Sequence, residues 1–177
     1  MSASDLADAV KAAVLLFVAA IVQVSILGDV QVLRGTPDLL LVTLLLIALQ
    51  RGTIVGAVGG FFAGLVVDVA TLGTMGLTSL LLTVAGYWIG RYGETTGRDR
   101  SHAPFLSVAV VTVLYGIGSL LVHFMLGDPA PAGTVFTDVW PSAALNLIIT
   151  WPVYAICRRL FRTTQWTDVS QEVQLLG

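Results

Sequence analysis

PDLLLVTLLLIALQRGTIVGAVGGFFAGLVVD, residues 37–68, decides the fold. Two apolar runs, 39–50 and 52–67, are parted only by Arg51, and the first is too short for an ordinary membrane crossing. A helix over 37–50 rises about 21 Å, against a hydrocarbon core of about 30 Å. Such a helix either thins the bilayer around it or is a partial span packed against protein. The second run has glycine at every fourth position, Gly52, Gly56, Gly60 and Gly64, with Asp68 four further on. Positions i and i+4 share a helical face, so these residues form a flat stripe that lets another backbone approach closely.

The rest of the chain reads the same way. Charged residues are 11% of the sequence and apolar ones 56%, whereas soluble domains carry about 25% charge. Further charge-free runs cover 12–28, 69–90, 103–127 and 139–157. In lipid the backbone must pair with itself, and no alternating ten-residue segments of a barrel are present, so the runs read as helices. The expected fold is an all-α integral membrane protein with six transmembrane helices in one domain, residues 1–162. The second helix is short and forms a hairpin with the Gly-rich third. Residues 163–177 are expected to be a short tail, and the run after Lys11 a retained span rather than a cleaved leader. The net charge of −2 argues against a nucleic-acid partner, and one cysteine, Cys157, excludes an intrachain disulfide.

Positive charge sets the expected topology. With six crossings, Lys11, Arg51, Arg91, Arg98, Arg100, Arg158, Arg159 and Arg162 share one side, and only Arg34 lies on the other. Lys and Arg collect in short cytoplasmic loops, so both termini are expected in the cytoplasm. Merging 37–70 into one tilted helix would put Arg91, Arg98 and Arg100 outside.

Few side chains point to chemistry. Asp68 is an acid isolated in apolar sequence, and its neighbouring turn offers backbone N–H groups or headgroup water; a partner contact or ion handling are the alternatives. Pro37 and Asp38 open the short helix, where an acid complements the helix dipole. Asn146 reads as a hydrogen bond between helices, and Pro152 as a local relaxation of its span. His123 lacks the companions a zinc site needs. No HExxH, GxSxG or P-loop pattern occurs, so no catalytic residue, metal or cofactor is expected.

Residues 37–90 resemble the rod shape-determining protein MreD family. The likeness rests on Pro37, Asp38 and Leu39 opening a short helix, then Gly60, Gly64 and Asp68, then Gly73 and Gly76 in the following turn. The resemblance implies a bacterial inner-membrane protein without enzymatic activity. It would work beside the single-span protein MreC and help link MreB filaments to peptidoglycan synthesis by RodA and its penicillin-binding partner. The family's six-helix arrangement also resembles the substrate-binding components of energy-coupling-factor transporters.

Two functions follow as expectations. One is a membrane scaffold that docks partner helices, the glycine stripe serving tight helix packing within this protein or against a partner, with a substrate groove on bare backbone as its alternative. The other is a capture component of a vitamin-type transporter, with Asp68, His123, Asp138 and Trp140 toward the outer side.

Overall fold

Six α-helices make up most of the described chain: α1 (Ala3–Val22), α2 (Leu39–Arg51), α3 (Thr53–Thr71), α4 (Leu77–Thr96), α5 (Ala103–Met125) and α6 (Ala132–Leu175). A single π-helical turn, Gln23–Leu27, extends α1. The computed structural model describes residues 3–28, 30, 35–72, 75–96, 103–125, 127 and 132–175, with side chains left out at 3–5, 96, 122, 123, 132–138 and 162–175.

The arrangement is five helices around one. α2 touches every other helix, and the outer five touch in the cyclic order α1, α3, α4, α5, α6. Among the described residues no other pair of these five is in contact. Sequence explains which helix takes the middle. A helix that is apolar on all sides has no face for water and belongs in a core, and α2 reads LLLVTLLLIALQR. Every residue from Leu40 to Leu49 is buried. The surrounding helices turn small or medium side chains toward it, among them Ala12, Leu16 and Ala20 of α1, Ala63 of α3, Leu82 of α4, Val108 of α5 and Cys157 of α6. Their larger apolar side chains point outward, as Phe17, Phe62, Trp88, Leu114 and Trp151 do. A soluble protein would hide such residues; here the outside suits lipid. Because α2 is sheathed, its length of about 20 Å need not match the bilayer.

Among the described residues, four stretches are long and apolar enough to cross a membrane: Leu6–Leu27, Thr53–Thr71, Ala103–Leu121 and Val139–Phe161. α2 falls outside that set because it has 13 residues. α4 falls outside it chiefly because Arg91 and Glu94 lower the hydropathy of its second half. Its outward stripe, Leu80, Val84, Tyr87 and Trp88, is apolar.

Gly52 alone joins α2 to α3, at φ 91° and ψ −174°. That φ favours glycine, which has no Cβ to clash. The two helices fold back on each other: a Cβ at Gly59 would lie 3.6 Å from Leu44 Cδ1, and one at Gly56 would lie 2.7 Å from Ala48 Cβ. One continuous helix would hold residues 44 and 59 about 22 Å apart, so the chain makes a hairpin.

Several boundaries differ from the sequence reading, among them three that bear on the packing. α2 begins at Leu39 rather than Pro37, because Asp38 takes the N-cap position and Pro37 precedes it. α1 begins at Ala3, ahead of Asp8 and Lys11 rather than after them, since an ion pair with α2 accommodates these charges. The helix of α6 continues through 163–175, the stretch read as a tail.

Candidate functional site

The glycine stripe packs inside the molecule. Cβ atoms built at Gly56, Gly60 and Gly64 would press into the backbone of Gly86, Leu82 and Ser79 on α4. Positions rise along α3 as they fall along α4, so the pair is antiparallel. α4 supplies a matching stripe. Gly86 meets the Gly56 backbone, Gly90 lies over Gly52 and Thr53, and Gly93 meets Leu49 at the end of α2. Backbone lies on backbone along this seam, which leaves no room on that face for a further helix.

Each end of the hairpin is closed by a carboxylate from the opposite helix. Asp68, 2% exposed, accepts three backbone N–H bonds from the start of α4: Gly76 at 2.9 Å, Thr78 at 3.1 Å and Ser79 at 3.1 Å. The first N–H groups of a helix lack intrahelical partners and carry its positive dipole end, so one carboxylate meets both needs. Gly76 turns the chain into position at φ 91°. At the other end, Glu94 of α4 accepts from the Thr53 N–H at 2.7 Å and the Thr53 hydroxyl at 2.6 Å, capping α3.

A second polar node holds the start of α2. The Gln23 carboxamide donates to the Pro37 carbonyl at 3.1 Å and accepts from the Leu39 N–H at 2.8 Å. Asn146 of α6 accepts from the Asp38 N–H at 2.8 Å and donates to the Thr112 hydroxyl of α5 at 3.1 Å. Asp38 Oδ1 in turn accepts from the Leu41 N–H at 2.8 Å. A helix that begins inside a bundle has no water for these groups, and each left unpaired in lipid costs several kcal/mol. Gln23 can reach because it opens the π turn; such turns re-aim the side chains of a helix.

The opposite end of α2 carries an ionic cluster. Arg51 pairs with Asp8 of α1, and Lys11 shares Asp8 at 3.2 Å. The Arg51 guanidinium also lies over the Phe161 ring of α6, 5.0 Å from its centroid. Arg51 thus ties α1, α2 and α6 together.

The structure therefore brings Pro37 and Asp38 into one node and Gly52, Gly56, Gly60, Gly64 and Asp68 into one seam. Of the four groups named for a ligand pocket, the structure describes the side chains of two, Asp68 and Trp140. Trp140 is exposed, Asp68 is held by α4, and the side chains of His123 and Asp138 lie outside the described residues, as do Gly73, Arg34, Arg98 and Arg100. Gln23, Glu94 and the α4 glycines escape a reading that looks for charge and chemistry. Their signals were present: an amide within the apolar run AAIVQVSIL, and glycines at 86, 90 and 93. Among the described residues, no three potential metal ligands come together. What the arrangement does chemically is pair buried backbone.

A family model described as rod shape-determining protein MreD matches residues 8–164, so the likeness read from 37–90 extends over nearly the whole chain. No curated protein and no solved structure gives a significant match.

Proposed function

The chain belongs to the rod shape-determining protein MreD family, and from that premise we propose that it is a non-enzymatic scaffold of the bacterial rod-shape complex. In this reading it crosses the inner membrane six times, in the arrangement expected of energy-coupling-factor substrate-binding components. Both termini are cytoplasmic. It docks a single-span, MreC-like partner and helps couple cytoskeletal filaments to wall synthesis by RodA and a penicillin-binding protein.

The observation that carries the scaffold reading is where the polar side chains go. Asp68, Glu94, Gln23, Asn146 and Asp38 all hold backbone of this same chain. A capture protein needs several such groups turned toward an open pocket. A scaffold needs a firm core and an apolar exterior, and α1, α5 and α6 offer broad ones. Because α4 fills the glycine stripe, the partner helix belongs on that exterior. The clustering of Lys11 and Arg51 around Asp8 at one end supports a common cytoplasmic side.

Affinity purification from mild detergent, followed by mass spectrometry, tests the reading. Recovery of a single-span protein with a large external domain supports it. So does rounding of a rod-shaped host when the protein is depleted. Normal rods after a clean deletion, or stabilisation of the purified protein by a water-soluble vitamin, would refute it.

A further inference from the structure

Two outward apolar stripes each end in exposed arginine. On α4, Leu80 and Val84 are followed by Tyr87 and Trp88 and then by Arg91, all exposed. On α6, Ile148 and Trp151 are followed by Ile156 and then by Arg158 and Arg159, all exposed. The α4 stripe passes from aliphatic to aromatic to guanidinium over twelve residues, the order in which a leaflet passes from acyl chain to interface to phosphate, whereas on α6 Ile156 separates Trp151 from the two arginines. α5 lies between the two helices in the ring. It presents Leu106, Val110 and Leu114 without a charge.

Both arginine ends stand at the same level. Gly90, next to Arg91, packs on Gly52 and Thr53. Phe161, close after Arg158 and Arg159, stacks on Arg51. The arc carries little opposing charge. Residues 103–125 and 139–161 contain no Asp or Glu; the one described acid on α4 is Glu94, whose two oxygens face the Thr53 N–H and hydroxyl. At the far end of the arc the described exposed groups are Phe124, Met125 and Trp140, with no cation among them.

We propose that the α4–α5–α6 arc is a binding site for an anionic phospholipid. The acyl chains lie along α5, and anionic headgroups are drawn to Arg91 on one flank and to Arg158 and Arg159 on the other. Guanidinium groups suit phosphate because their planar fork donates two parallel bonds. The charge complementarity selects an anionic headgroup over a zwitterionic one, and the aromatic side chains fix its depth. The site is independent of any protein partner.

Native mass spectrometry of the full chain in a neutral detergent tests the proposal, titrated with phosphatidylglycerol or with phosphatidylcholine of the same acyl chains. Phosphatidylglycerol adducts should be retained preferentially. Arg91→Gln should weaken that retention about fivefold, and the triple change with R158Q and R159Q about a hundredfold, at the attraction expected per basic residue. Replacing all three by lysine should keep most of the preference. Equal retention of the two lipids by the unaltered protein would overturn the proposal. So would unchanged retention of phosphatidylglycerol by a folded Arg91→Gln or triple glutamine variant.

Discussion

Gly59 and Gly60 are neighbours on α3, and the structure assigns them opposite sensitivities. Alanine at either site gains about 1 kcal/mol of helix propensity over glycine. At Gly60 the new methyl presses into the Leu82 carbonyl, 2.6 Å from its carbon and 2.9 Å from the Thr83 nitrogen. Carbon atoms normally rest about 3.5–4.0 Å apart, so α3 and α4 must part by roughly 1 Å. Backbone cannot change rotamer to relieve this. Overpacking costs about 1–3 kcal/mol, and the upper end applies here, which leaves a net loss of about 2 kcal/mol after the propensity gain. At Gly59 the nearest atom is Leu16 Cδ1, 2.8 Å away, the free end of a side chain. Shifting its rotamer costs about 1 kcal/mol, so Gly59→Ala should be close to neutral. The two variants should differ by about 2 kcal/mol, a factor of roughly 30 in the folding equilibrium. Unfolding in mixed micelles of mild detergent and sodium dodecyl sulfate, followed by circular dichroism, measures the difference. Equal stabilities, or a greater loss at Gly59, would refute the backbone-on-backbone seam.

Three other substitutions probe the buried polar groups and the turn. Asp68→Asn leaves one oxygen to serve three N–H donors, and should lower stability by about 2 kcal/mol in the same unfolding assay. Asn146→Leu strands the Asp38 N–H and the Thr112 hydroxyl, with an expected loss of about 2–3 kcal/mol and faster hydrogen exchange at the start of α2. Leu72 sits at φ 51° and is 92% exposed; Leu72→Gly relieves a left-handed conformation and should raise stability by roughly 0.5 kcal/mol after the entropy cost of glycine. A fall in stability would show that the exposed leucine is held by something.

The sequence carries the kinds of helix well and their neighbours poorly. The shortness of α2 is plain arithmetic on 39–51, but its central position follows from the other five helices, each of which reserves small residues for it. The all-round apolar string LLLVTLLLIAL is the local trace of that position, and it looks the same as a lipid-facing run. The α3 stripe is legible because glycine repeats every four residues. Its occupant was not, since α4 spreads Gly86, Gly90 and Gly93 among Tyr, Trp and Arg. Asp68 shows how far local reading reaches: the turn that follows it supplies the N–H groups, so an end-of-helix acid with a nearby loop could be read as a cap. Gln23 lies in the opposite case, because its partners at Pro37 and Leu39 depend on how α1 meets α2.

Five helices shield α2 from lipid. Photolabelling with a diazirine-bearing phospholipid, followed by peptide mapping, tests that most directly. The account predicts label on outward residues such as Val14 of α1, Phe62 of α3 and Leu114 of α5. It predicts none on Leu39–Arg51, although that helix is among the most apolar in the chain. Label on α2 at a level comparable to α3 or α5 would contradict it.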